Sequence, residues 1–172
     1  MVPETLITNN PELVKGFLKK HQHVVYKSIS GVRSIVQMLE QKDIDRLDQI
    51  KWCPVQFQEY IEGSNVRVHV VGSDVFATEA VSAATDYRYP QFNEGASTEL
   101  NGFTLSDETA RLCIKLNREL NLEFSGIDLK ITPQGKIYCL EVNTSPGFSY
   151  YELSTGQPIA KALAQHLGSV DS

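Results

Sequence analysis

The chain has 172 residues, 41% hydrophobic and 22% charged, with 16 basic against 21 acidic residues and a net charge of −5. This composition excludes a disordered or fibrous chain, and the acidic balance excludes a general nucleic-acid binder. Cys53, Cys113 and Cys139 are too few and too far apart for a disulfide framework or a zinc spacing. No apolar run reaches the roughly 20 residues of a membrane span, and Val2-Pro3-Glu4-Thr5 is no signal peptide. The expectation is a cytoplasmic protein with reduced thiols that meets neither membrane nor nucleic acid.

Glu4 to Thr8 reads as a short strand. Asn9-Asn10-Pro11-Glu12 offers a helix cap followed by Pro, and Leu13, Val14, Phe17 and Leu18 follow at helical spacing. His23 to Lys27 is a strand, Arg33 to Leu39 a second, and Asp43 to Ile50 a short helix. From Pro54 the strands lengthen. Pro54 to Ile61 runs to a Glu62-Gly63 break, and Asn65 to Val71 alternates, with Val66, Val68 and Val70 on one face and Arg67 and His69 on the other. Gly72-Ser73 turns this strand into Val75–Ala80. Residues 83–102 are polar and irregular, a length that marks a functional loop.

Ser106 caps a helix whose apolar stripe is Leu112, Cys113, Leu116 and Leu120. Glu123 to Ile131 and Lys136 to Asn143 form a hairpin through Thr132-Pro133-Gln134-Gly135, a type I turn sequence. The last helix, Gln157 to Leu167, turns Ile159, Leu163, Ala164 and Leu167 inward. The fold class is α+β, with antiparallel sheets and helices packed on them.

The terminal hairpin carries the chemistry. With Thr132 facing Gly135, Asp128 lies opposite Cys139 and Glu141 is its diagonal neighbour, while Gly126 lies opposite Glu141 and leaves the face open. Glu141 and Asn143 share that face, and Ile127, Leu129, Ile131, Leu140 and Val142 form the core side. Two carboxylates and an amide oxygen on one face are the hard ligands that Mg²⁺ takes while keeping water and phosphate. The alternative is the solvated face of an ordinary hairpin, and the positioned Thr144-Ser145-Pro146-Gly147 turn that follows weighs against it.

These residues resemble an ATP-grasp ligase. Gly126-Ile127-Asp128-Leu129 followed by Glu141-Val142-Asn143-Thr144-Ser145-Pro146-Gly147 is similar to the metal-binding end of that fold, above all to the RimK-type group with its Glu-Val-Asn-Ser-Ser-Pro-Gly pattern. Upstream segments agree in order. Val25-Tyr26-Lys27 resembles the strand whose lysine holds the phosphates, and Gln58-Glu59-Tyr60-Ile61-Glu62-Gly63 resembles the hinge whose backbone meets adenine. Asn65 to Gly72 resembles the Asp-x-Arg-x-x-x-Val-Gly strand after it.

The resemblance implies two α+β lobes enclosing a nucleotide, a small one over residues 1–54 and a large one over 55–172. It implies ATP and Mg²⁺ as cofactors. Lys27 and Arg67 become the catalytic pair, and Lys27, Arg33, Gln58, Glu59, Tyr60, Ile61 and Glu62 contact the nucleotide, with Glu62 near the ribose. Asp128, Glu141 and Asn143 hold the metal. Arg67 clamps the transferring phosphoryl group or, alternatively, forms a cross-strand ion pair; His69 on the same face reads as structural. ATP would phosphorylate a carboxylate of a peptide or amino acid, and an amine or hydroxyl would attack the acyl phosphate.

Three departures qualify the likeness. The loop Ser28-Ile29-Ser30-Gly31-Val32-Arg33-Ser34 holds a single glycine where the pattern is glycine-rich, as in the microviridin-type maturases of ribosomal peptides. Asp86-Tyr87-Arg88 resembles an Asp-Trp-Arg element of those maturases, which points to peptide modification. Asn65 replaces an acidic residue. Third, the chain starts where the central lobe of such ligases starts, so an N-terminal domain of about 100 residues is expected to be missing. The competing reading is a nucleotide-binding module without ligase activity. Exposed sheet edges lead to an expectation of a homodimer.

Overall fold

The computed structural model describes residues 1–29, 35–82 and 98–169. They divide into two compact units, one built on Val2–Ile61 and the other on Glu62–Val81 with the chain from Thr98 onward.

The first unit contains β1 (Thr5–Thr8), α1 (Pro11–His21), β2 (Val24–Ser28), β3 (Gln37–Met38), α2 (Gln41–Ile44), a 3₁₀ turn (Leu47–Trp52) and β4 (Val55–Glu59). Its sheet has the order β1-β4-β2-β3. Asn10 caps α1 by accepting from the Glu12 amide at 2.9 Å, and Pro11 occupies the first turn, where no amide partner is lost. The helix buries Val14 and Phe17 against Val24, Leu47 and Phe57. The sequence places β4 at the start of the large lobe. Instead it lies between β1 and β2, pairing Phe57 with Leu6 and with Tyr26, so the division falls after Ile61 and not at Pro54. The expected strand Arg33–Leu39 is reduced, among the described residues, to Gln37–Met38, and the expected helix Asp43–Ile50 is split between α2 and the 3₁₀ turn.

The second unit holds β5 (Ser64–Val71), β6 (Asp74–Ser82), β7 (Thr98–Phe103), α3 (Asp107–Glu119), β8 (Phe124–Ile131), β9 (Ile137–Asn143), α4 (Ser149–Thr155) and α5 (Ile159–Ser169). The sheet order is β7-β6-β5-β8-β9. Thr98–Phe103 is thus a strand at the end of the segment expected to be irregular; Asp86-Tyr87-Arg88 lies outside the described residues. The alternation of β5 holds: Val66, Val68 and Val70 pack with Ala77, Cys113, Ile127 and Leu129 under α3. Ser106 caps α3 by accepting from the Thr109 amide. The buried line of α3 is Thr109, Cys113 and Asn117, whereas Leu112 and Leu120 of the expected stripe are exposed. The Ser125 hydroxyl donates to the side-chain oxygen of the buried Asn117, whose Nδ2 has no hydrogen-bond partner among the described residues. In α5, Ile159 and Ala162 are buried, while Ala164 and Leu167 face solvent, contrary to the expected stripe. No helix among the described residues is long and apolar enough to cross a membrane.

The β8–β9 register differs from expectation twice. Thr132 pairs with Lys136, because Gly135 closes the turn at φ +76°, a left-handed conformation that glycine adopts without strain. A bulge between Asp128 and Leu129 on one strand, with Leu140 as the extra residue on the other, shifts the pairing again. Asp128 therefore lies directly opposite Glu141, not Cys139, and Gly126 lies opposite Asn143. Beyond the bulge Cys139 pairs with Leu129 and joins the core side in place of Leu140.

Candidate functional site

The polar face of β5, β8 and β9 is organised in rows, because paired residues share a face. Arg67, Asp128 and Glu141 form one row, and His69, Gly126 and Asn143 the next. Arg67 is 6% exposed; its Nε stands 3.2 Å from Asp128 Oδ1, and its guanidinium lies 5.7 Å from the Tyr151 ring centroid. The cross-strand ion pair foreseen as one reading of Arg67 is present. It does not compete with a phosphate role, since a guanidinium has five N–H donors in a planar fork.

The segment after β9 folds back over this face and is held at successive points. Asn143 Oδ1 accepts from the Ser145 amide at 2.8 Å. Pro146 is buried above Gly126, where a Cβ would stand 2.7 Å from Pro146 Cβ and 2.8 Å from Arg67 Nη1. The face over Gly126 is thus filled, not open. Gly126→Ala is expected to cost about 1–3 kcal/mol, because backbone and a buried arginine must move; a denaturation midpoint equal to wild type would show the contact to be slack. Last, His69 Nε2 lies 3.3 Å from the Gly147 carbonyl.

His69 is fully buried, its ring edge-on to Tyr151 at 4.9 Å and stacked beside Phe124 at 6.3 Å. Burial, with the nearby Arg67 charge, lowers its pKa from 6.5 to about 4, so at neutral pH it is uncharged and its one N–H, on Nε2, donates to Gly147. Because the folded pKa lies below the unfolded one, the folded state binds fewer protons between them. The stabilising contribution is complete above pH 6.5 and is lost as pH falls toward 4, up to about 3 kcal/mol. His69→Phe is expected to flatten the stability–pH profile in that window, as read by urea denaturation at pH 7 and pH 4.5.

In the first unit, Lys27 pairs with Gln56, and Val25 with Gln58, so Lys27, Gln56 and Gln58 share the face away from α1. Gln56, directly opposite Lys27, was not singled out by motif; its only signal is the alternation of β4 about Phe57. Gln58 donates to Thr5 Oγ1 at 2.9 Å. The Glu59 side chain turns to the other side, accepting from the Glu4 amide at 3.0 Å and pairing with His21 at 3.3 Å, and its own amide donates to the Glu4 carbonyl at 3.0 Å. The Tyr60 amide donates to the His23 carbonyl. Ile61 ends this unit and Glu62 begins the other. Arg33 lies outside the described residues.

Among the described residues no three His, Cys, Asp or Glu side chains gather into a metal cage. Two opposed carboxylates beside an amide oxygen fit Mg²⁺ that keeps phosphate and water ligands, and do not fit a fully protein-bound ion. The cysteines are free, and burial pushes the Cys113 thiol up to about 11, so it is no nucleophile at neutral pH. Lys130, on the next row toward Glu62, donates to Asn65 Oδ1 at 2.9 Å, and burial lowers its pKa.

Residues 1–167 match the RimK-like ATP-grasp domain. The chain belongs to that family. It is 31% identical over 134 residues to a probable alpha-L-glutamate ligase of Histophilus somni, an alignment that covers 78% of this chain and 42% of the relative. The ATP-grasp ligase PsnB, solved with a phosphomimetic variant of its minimal precursor, Mg and ADP, superposes with a TM-score of 0.81 at 30% identity, over 96% of this chain and 53% of that one. The macrocyclase MdnC from Microcystis aeruginosa, bound to its precursor peptide MdnA, gives a TM-score of 0.83 at 25% identity, over 99% of this chain and 57% of that one. The chain thus spans about half the length of the relatives it matches. The α+β fold with two antiparallel sheets is the ATP-grasp fold, as expected from the hairpin motif.

Proposed function

We propose that this ATP-grasp chain binds ATP with Mg²⁺ and activates a carboxylate of a peptide or amino acid as an acyl phosphate, which an amine or hydroxyl then attacks. The observation that carries the reading is the row Arg67–Asp128–Glu141 with Asn143 beside it, a cation and three oxygen-bearing side chains converging on one face. Family membership, with PsnB solved with Mg and ADP and MdnC with its precursor peptide, supports nucleotide and peptide as the ligands.

In this reading Asp128, Glu141 and Asn143 hold Mg²⁺, which when bound neutralises phosphate charge as a Lewis acid. Asn143 Oδ1 already accepts one amide bond and keeps a second lone pair for the ion. Lys27 and Arg33 grip the phosphates, the hinge backbone from Gln58 to Ile61 faces the base, and Glu62 the ribose. Arg67, held in place by Asp128 and Tyr151, donates to the phosphoryl oxygens as charge develops on them. No covalent protein nucleophile is needed, since phosphoryl transfer depends on positioning and charge. The division of labour between a small unit carrying Lys27 and a large unit carrying the metal ligands, a cytoplasmic location and a homodimer complete the proposal.

The test is to incubate the chain with ATP, Mg²⁺, a carboxylate-bearing peptide or amino acid, and hydroxylamine. ADP release that depends on the carboxylate, with hydroxamate formed in equal amount, is the expected result. Nucleotide binding without either product would identify a binding module and not a ligase.

A further inference from the structure

Asn65, Lys130 and Tyr138 form a third row on the polar face, beside Arg67, Asp128 and Glu141 and on the side nearer Glu62-Gly63. The strand that β5 resembles has an acidic residue at the position of Asn65. An aspartate there would pair with Lys130 and close its charge. The amide oxygen instead takes one of three ammonium N–H bonds, at 2.9 Å, and no carboxylate pairs with Lys130 among the described residues. A half-buried ammonium whose partner is neutral favours an anion beside it, and it gains more from one there than a solvated lysine would.

The position of the row indicates which anion. Two residues along a strand span about 7 Å, so the Lys130 row stands that far from the Asp128–Glu141 row, toward the hinge. A nucleotide with its terminal phosphates at the carboxylates and its ribose at Glu62 crosses this row. We propose that Lys130 is a binding residue for the nucleotide's phosphate chain, steered by Asn65, and that the amide at position 65 keeps it available. The inference rests on the nucleotide reading above. It also gives the Asn65 departure a physical consequence: the loss of one acidic group on this face frees one cation.

Calorimetry with Mg·ADP on wild type, Lys130→Met, Lys130→Arg and Asn65→Asp tests it, with thermal melting of each variant as a check on folding. Lys130→Met is expected to weaken Mg·ADP binding roughly tenfold, the usual size of a charge-assisted contact. Lys130→Arg, which keeps the charge, is expected to stay within about threefold of wild type, and Asn65→Asp to weaken binding as Lys130→Met does. Unchanged affinity in folded Lys130→Met, or equal loss in Lys130→Met and Lys130→Arg, would overturn the assignment. Wild type that fails to bind Mg·ADP would overturn the nucleotide reading itself, and with it this inference.

Discussion

Glu141→Gln is expected to abolish the stabilisation of the chain by Mg·ADP. The bulge at Leu140 sets Asp128 and Glu141 directly opposite each other on neighbouring strands. Like charges in that position repel, and the Arg67 cation in the same row offsets part of that repulsion. Gln keeps the shape of Glu and removes only the charge, so packing over Gly126 and Pro146 is undisturbed. A site built for a dication needs both carboxylates. Turnover of ATP is expected to fall by roughly 10² to 10³, the scale of losing one electrostatic element of a phosphoryl-transfer site. Thermal melting with and without Mg·ADP reads the first effect. A Glu141→Gln protein that still gains wild-type stability from Mg·ADP would remove Glu141 from the metal site.

Arg67→Met is expected to damage both stability and chemistry, and a second substitution separates the two. Arg67 and Asp128 are both largely buried and paired at 3.2 Å. Replacing the arginine leaves Asp128 charged, half out of water and without that partner, at a cost of about 3–5 kcal/mol. The double variant Arg67→Met with Asp128→Asn removes the stranded charge, and most of the stability is expected to return. Turnover is not expected to return, because in the proposed mechanism Arg67 is also the cation that meets the phosphoryl group; a loss of roughly 10² or more is expected in both variants. Urea denaturation and single-turnover ADP release together read this. If folded Arg67→Met turns over ATP as wild type does, Arg67 is half of an ion pair and nothing more.

The sequence made the strand pattern legible wherever it was local. The alternation of Val66, Val68 and Val70 against Arg67 and His69 placed both faces of β5 correctly, because period two leaves no other arrangement. The turn at Thr132–Gly135 located the hairpin, yet its register was one residue out, then two, because neither the Gly135 closure nor the Leu140 bulge leaves a sequence signal as strong as the alternation itself. That slip hid the direct opposition of Asp128 and Glu141. Strand β4 was read correctly as a strand but assigned to the wrong unit, since its partners Leu6 and Tyr26 are distant in sequence. The hold of His69 on Gly147 joins residues 78 apart and could not be read from either neighbourhood. Asn117, a buried polar residue on α3, broke the apolar stripe because its partner Ser125 lies on another element.

In the proposed function, the β5–β8–β9 face binds a magnesium nucleotide through Asp128, Glu141 and Asn143. The most direct measurement is calorimetric titration of the chain with ADP in the presence of Mg²⁺ and again in EDTA. Saturable binding with Mg²⁺ that weakens at least tenfold in EDTA is expected, with that difference lost in Glu141→Gln. Binding of equal strength with and without Mg²⁺, or none above millimolar affinity in either, would contradict it.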